Sequence, residues 1–109
     1  MVIDDKFYVG GARDRQIMRM VRGIRRFNRV RYVPGVFVVT LPLFDDGILE
    51  IYEINEFRQK AYRDMTDSIH IVGAAPGRLQ AMLLVRDIID DIYKKTGDVD
   101  VKKFFATDR

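Results

Sequence analysis

The sequence contains no cysteine. This absence excludes disulfide bonds, thiolate nucleophiles and the cysteine-ligated classes of zinc and iron–sulfur site. A chain without cysteine fits an intracellular protein, and we expect a cytoplasmic location. The first residues are acidic and carry few apolar side chains, a composition that does not fit a signal peptide.

Long apolar runs are also missing. No stretch approaches the roughly 20 apolar residues that a membrane-spanning helix requires, so we expect no membrane partner. The chain has 109 residues, of which 48% are hydrophobic and 32% are charged. This size and composition suit a single globular domain over residues 1–109, with one contiguous core.

Histidine is scarce, since His70 is the only one. A pair of nucleophile and histidine would have to use Ser68 or a threonine, and no spacing in the sequence suggests such a pair. Neighbouring carboxylates fit turns and solvated helix surface better than a Mg²⁺ site; they are Asp45 with Asp46, Asp90 with Asp91, and Asp98 with Asp100. We therefore predict no catalytic residue, no metal and no cofactor.

Hydrophobic periodicity predicts elements in the order β-α-β-β-(α)-β-α. The predicted strands cover residues 6–9, 36–43, 48–54 and 69–72, and the two main helices cover residues 13–27 and 78–95. Turn chemistry at residues 45–47 joins the second and third strands into a hairpin. Asn55 could cap a short helix after it. We expect an α+β fold, a two-layer sandwich in which one sheet of about four strands carries two amphipathic helices, mainly on one face.

Both main helices show apolar residues at three- and four-residue steps. The first helix is predicted to bury Ile17, Met20, Val21, Ile24 and Phe27. The second is predicted to bury Leu79, Met82, Leu83, Ile88, Ile89 and Ile92. Gly97 is suited to end the second helix. Phe104 and Phe105 then either dock on the core or contact a partner.

Two segments of the chain resemble each other. Residues 8–24 and 71–88 each combine a strand end, a turn rich in glycine and alanine, an arginine and an amphipathic helix. Whether or not this is a true repeat, it predicts two βα units. The first and fourth strands could then lie parallel, with their glycine-rich loops at one edge of the sheet.

Positive charge is concentrated in one part of the chain. Eight arginines and one acidic residue lie between Arg13 and Arg31, giving this stretch a charge of +7. Because the whole chain carries +3, the remaining residues sum to −4. A field concentrated in this way attracts polyanions or acidic protein surfaces.

The arginines form a stripe opposite the apolar face of the first helix. Guanidinium groups bind phosphate bidentately, so one interpretation is a nucleic-acid contact surface. Its predicted residues are Arg15, Arg19, Arg22, Arg26, Arg29, Arg31 and Tyr32, the last of which could stack on a base. A second interpretation pairs the stripe with the acidic side of the last helix (Asp87, Asp90 and Asp91), within the chain or between subunits of a homo-oligomer. A third is a solvated helix face.

The glycine-rich loops are a separate candidate for binding. Backbone N–H groups at the start of a helix, preceded by glycine, can hold a small anion. The predicted residues are Gly10, Gly11, Gly73, Gly77 and Arg78. Neither loop matches a dinucleotide-binding or Walker pattern. The sequence thus favours a non-catalytic binding module, with a structural homo-oligomer or a small-anion binder as alternatives.

Overall fold

The computed structural model describes residues 1–11, 15–43 and 47–106. Its elements are, in chain order, β1 (Val2–Val9), α1 (Arg15–Phe27), β2 (Val36–Thr40), β3 (Glu50–Glu53), a 3₁₀ turn (Ile54–Arg58), α2 (Lys60–Arg63), a second 3₁₀ turn (Thr66–Ser68), β4 (His70–Pro76), α3 (Arg78–Thr96) and α4 (Val101–Ala106). The predicted α+β class, with four strands and two principal helices, is confirmed. The predicted start of the first helix at residue 13 and most of the turn at residues 45–47 lie outside the described residues.

One sheet contains all four strands, in the order β1-β4-β2-β3. The predicted hairpin is confirmed, since β2 and β3 pair antiparallel. The predicted parallel pairing of the first and fourth strands is also confirmed. Because β4 pairs with β1 on one side and antiparallel with β2 on the other, β4 lies in the interior of the sheet.

The two principal helices cover opposite faces of this sheet. Along β2, Val36 and Val38 pack in a cluster with α1, whereas Phe37 and Val39 pack in a cluster with α3 and α4. The predicted two-layer arrangement, with helices mainly on one face, is corrected accordingly. The physical reason is that the inner strands are apolar on both faces, so each face needs a covering helix.

Strand β4 is longer than its predicted range. The predicted turn rich in glycine and alanine after residue 72 is wrong for its first residues, because Gly73 and Ala74 pair with both β1 and β2. A Cβ atom at Gly73 would lie 3.0 Å from Leu84 Cδ2 and 3.1 Å from the Tyr8 carbonyl oxygen. Glycine at this position therefore allows the close approach of α3 to the sheet.

Helix α3 buries a different side from the predicted one. Ile88 and Ile92 are buried as predicted, but Leu79, Met82 and Leu83 are 66%, 55% and 37% exposed. The buried residues of α3 are Ala81, Leu84, Ile88 and Ile92. The helix packs on the sheet through this side because Ala81 is small and because Gly73 and Gly10 leave room for the close approach of α3.

Helix α4 closes the core on the α3 side of the sheet. Gly97 ends α3 as predicted, with a φ of 75° and its N–H donating to the Tyr93 carbonyl oxygen. The phenylalanine pair docks on the core, which was the first of its two predicted alternatives. Phe105 is 2% exposed and packs in the same cluster as Ile88 and Ile92. Within the described ranges, no helix is both long enough and apolar enough to cross a bilayer.

Candidate nucleic-acid interface

Helix α1 separates its apolar and basic side chains as predicted. It buries Ile17, Met20, Val21 and Ile24 against the sheet. Arg15, Arg19, Arg22 and Arg26 recur at three- and four-residue steps, and all four are exposed. Their spacing places them on one side of the helix, away from the core. Arg13, which belongs to the same basic stretch of the sequence, lies outside the described residues.

Phe27 differs from its predicted place in the core, since it is 52% exposed. It is the last residue of α1, and Asn28 follows with a positive φ of 51° and its N–H bonded to the Ile24 carbonyl oxygen. This left-handed residue ends the helix directly after Phe27. The Phe27 ring instead lies 5.5 Å from the Arg26 guanidinium and 5.6 Å from that of Arg31.

A second exposed ring continues the same surface. Tyr32 is 63% exposed, and its ring lies 5.7 Å from the guanidinium carbon of Arg58. Arg58 comes from the 3₁₀ turn after β3, far from α1 in sequence. A shallow groove of about 130 Å³ runs between the helix and these rings. Its lining includes Arg19, Arg22, Gly23, Phe27, Arg31 and Tyr32.

Asn55 brings Arg58 to this surface. The prediction that Asn55 caps a helix is wrong, because Glu53 accepts the Asn55 N–H at 2.7 Å and acts as the cap. The Asn55 side chain instead bonds both backbone groups of Val33: Val33 N–H donates to Oδ1 at 3.0 Å, and Nδ2 donates to the Val33 carbonyl oxygen at 2.9 Å. These two bonds hold the turn after β3 beside the loop after α1, so that Arg58 lies over Tyr32.

An open basin of about 760 Å³ adjoins this region. It lies between the loop after α1 and the segment that carries α2, and its arginines are Arg29, Arg58 and Arg63. Arg29 is a predicted site residue, whereas Arg58 and Arg63 are not. We call the combined patch the arginine surface; it comprises Arg15, Arg19, Arg22, Arg26, Phe27, Arg29, Arg31, Tyr32 and Arg58.

The arginine surface carries charge that the described chain does not neutralise. In residues 1–11, 15–43 and 47–106, no carboxylate lies within 4.0 Å of any of its guanidinium groups. The predicted pairing within the chain does not occur there, because α1 and α3 cover opposite faces of the sheet. The carboxylates of Asp87, Asp90 and Asp91 pair instead with Arg86, Lys94 and Lys95 of the same helix.

Asp91 makes a further contact on its own side of the sheet. The Tyr8 hydroxyl donates to its carboxylate. This hydrogen bond holds the pKa of the Asp91 carboxyl below its ordinary value, and the hydrogen bond from the Lys95 ammonium is the second-largest cause. The carboxylate is thus engaged by β1 and by its own helix, which leaves it poorly placed to serve as a partner for α1.

The glycines of the predicted anion site have structural roles. Gly10 is buried and its N–H donates to the Ala74 carbonyl oxygen, and Gly77 N–H donates to that of Gly35. Gly73 lies inside β4. Gly11 has a φ of 68° and its Cβ position would be 3.4 Å from Pro76, so the two glycine-rich segments meet at one sheet edge as predicted. Small-anion binding here stays a prediction.

The remaining member of that set, Arg78, is exposed, and its guanidinium carbon lies 5.2 Å from the Phe37 ring. Its position on the α3 side of the sheet separates it from the arginine surface. It is therefore a useful reference residue of the same type on the other side of the molecule.

His70 hydrogen-bonds a buried carboxylate. Its Nε2 lies 2.7 Å from Asp4 Oδ2, with the side chains of His70 and Asp4 15% and 2% exposed. No other side chain of the described residues hydrogen-bonds the imidazole. The contact ties β1 to β4 at one end of the sheet. Across the same ranges, no three histidine or carboxylate side chains gather as metal ligands.

Comparison with models of protein families, with curated proteins and with solved structures finds no match to this chain.

Proposed function

We propose that the protein is a non-catalytic nucleic-acid-binding module and that the arginine surface is its contact site. The observation that carries the proposal is the gathering of exposed, unneutralised guanidinium groups around two exposed aromatic rings. Arginine binds phosphate oxygens bidentately, and it is more weakly hydrated than lysine, which favours direct contact.

The dimensions of the surface suit a nucleic-acid strand. Arg15 and Arg26 are separated by about 16 Å along the axis of α1. This length corresponds to about five phosphates along one strand of a duplex. Arg29, Arg31 and Arg58 extend the positive surface beyond the helix end, so that a bound strand could continue past Phe27 towards the basin.

The rings favour a single strand over a duplex as ligand. Unpaired bases can stack on aromatic side chains and on guanidinium planes, whereas bases inside a duplex have no free face. Tyr32, more exposed than Phe27, is the better stacking position. An acidic protein surface would also engage the arginines, but it has no unpaired bases to stack on the rings.

Pairing of the arginine surface with the acidic side of α3 in a second subunit has less support. Each of the three carboxylates already has a cationic partner on its own helix. Breaking these pairs would offset part of the attraction gained between subunits. The phosphates of a nucleic acid require no such exchange.

We expect Tyr32→Ala to weaken binding of a labelled single-stranded oligonucleotide by about 1–3 kcal/mol, the usual contribution of one base stacked on an aromatic ring. Tyr32→Phe is the matched control, because it keeps the ring and removes only the hydroxyl, and its affinity should stay near that of the wild type. Fluorescence anisotropy titration measures all three. Failure of the wild type to bind any oligonucleotide at micromolar concentration would refute the proposed function. Equal affinity of the alanine and phenylalanine variants would remove Tyr32 from the contact site.

A further inference from the structure

Helix α3 exposes large apolar side chains on the side that faces away from the sheet. Leu79, Met82 and Tyr93 are each more than half exposed, and Leu83 is 37% exposed. The buried residues of the helix are on the opposite side, so the outer residues have no neighbour in the described chain to cover them. Contiguous apolar surface of this kind marks an interaction site rather than ordinary solvent-facing surface.

The outer residues of α3 follow the repeat of a helix-pairing seam. Leu79, Arg86 and Tyr93 are spaced by seven residues, and Met82 and Ile89 lie three residues after the first two of them. This is the spacing of the a and d positions of a coiled coil, with Arg86 at the central a position. We call these residues, together with Leu83 and Asp90, the α3 outer surface.

The charges within the α3 outer surface are complementary to themselves. Arg86 and Asp90 lie on the outer side of the helix, one turn apart. When two copies of such a helix pack antiparallel about a two-fold axis at the level of residue 88, Arg86 of each copy faces Asp90 of the other. The same register places Leu83 beside Tyr93. This register places one charged pair and one apolar pair of the surface opposite each other in each half of the interface, as a second copy of the same chain would require.

The existing contacts of these charges oppose the exchange only weakly. Arg86 lies 3.7 Å from Asp87, and Asp90 lies 2.9 Å from Lys94, with all four side chains more than half exposed. Exposed ion pairs contribute little to stability because water screens them and their side chains must be ordered. Pairs across an interface lined by leucine and tyrosine are better shielded from solvent.

We propose that the protein forms a two-fold homodimer through antiparallel packing of the α3 outer surface. The inference is independent of the proposed function, because α3 and the arginine surface lie on opposite sides of the sheet. In the dimer the two arginine surfaces remain free, so one assembly offers two nucleic-acid contact sites.

Sedimentation equilibrium of the full chain, without nucleic acid, tests the dimer. We expect a dimer at micromolar concentration. Arg86→Asp brings carboxylates together across the interface and should raise the dimer dissociation constant by at least about tenfold, since facing like charges repel. Asp90→Arg should do the same. The double variant Arg86→Asp/Asp90→Arg reverses both charges and should restore association.

Arg63→Asp is the control, because it makes the same charge change at an exposed position of α2, away from α3, and it should leave association unchanged. The exposure of Arg86 and Asp90 keeps these variants folded, which circular dichroism verifies. A monomeric wild type over the whole concentration range overturns the proposal. So does a dimer that the single variants leave intact, or a double variant no more associated than the single ones.

Discussion

Replacing Arg19, Arg22 and Arg26 together by glutamine is expected to weaken nucleic-acid binding by about a hundredfold or more at moderate salt. The three side chains are exposed on one side of α1, and none of them has a carboxylate within 4.0 Å in the described part of the chain. Each guanidinium that contacts a phosphate releases condensed counterions from the nucleic acid, and this release is lost with the charge. Equilibrium titration of a labelled single strand, wild type against variant, measures the loss.

Net charge alone would also lower affinity, so the variant needs a charge-matched control. Replacing Arg78, Lys102 and Lys103 by glutamine removes the same three charges from exposed positions on α3 and α4. We expect this control to retain most of the binding. The free energies of unfolding of both triple variants should lie within about 0.5 kcal/mol of the wild-type value, because surface substitutions of this kind remove no packing. Equal losses of affinity in the two variants would show that binding follows total charge and does not use the arginine surface.

Phe105→Ala is expected to destabilise the fold by about 3–5 kcal/mol, the usual cost of truncating a buried phenylalanine. Phe105 is 2% exposed and fills the space between α4 and the α3 side of the sheet. Its ring lies edge-on to those of Tyr8 and Phe104, with centroids 6.2 Å and 5.0 Å apart. Truncation removes these contacts and leaves a cavity in the buried cluster on the α3 side of the sheet. Because a small domain is stable by only about 5–15 kcal/mol in total, the loss would be a large share of the whole.

Urea unfolding, followed by circular dichroism, measures this change. Phe105→Leu is the control, since it keeps most of the buried volume and should cost clearly less than the alanine variant. The half-buried neighbour gives a second comparison: Phe104→Ala should destabilise less than Phe105→Ala. A change below about 1 kcal/mol for Phe105→Ala would mean that α4 does not contribute to the core as described.

Local patterns in the sequence were enough to predict most of the elements. The apolar spacing of α1 predicted its buried side up to Ile24, and the glycine after α3 predicted the end of that helix. The turn chemistry between β2 and β3 predicted their hairpin. These features depend on residues close together in the chain, where helical period, capping and turn preferences act directly.

The errors arise where distant parts of the chain decide the outcome. The first half of α3 has apolar residues on both sides, so periodicity could not choose between Leu84 and Leu83 as the buried residue. The burial of Leu84 depends on Gly73 in β4 and on Gly10 just after β1, because a Cβ atom at Gly73 or Gly10 would lie 3.0 Å or 3.2 Å from the Leu84 side chain. The extension of β4 into an apparent loop likewise depends on pairing with β1 and β2.

The candidate site was predicted in part. All of its α1 arginines could be identified from their spacing, because helical periodicity separates a solvent-exposed side from a buried one. Arg58 could not, since its place beside Tyr32 depends on hydrogen bonds between Asn55 and Val33, which are 22 positions apart. Phe27 followed the apolar period of α1, but it is the last residue of the helix and its side chain is 52% exposed.

The dependence of binding on salt tests the central claim most directly, namely that exposed guanidinium groups of the arginine surface bind phosphates. The measurement is the association constant of the wild-type protein for a single-stranded oligonucleotide of about 20 nucleotides, between about 50 mM and about 500 mM salt. With five or more phosphate contacts, the logarithm of the constant should fall with the logarithm of salt concentration at a slope of about −3 or steeper. A slope near zero, or no measurable association at the lowest salt, would contradict the account.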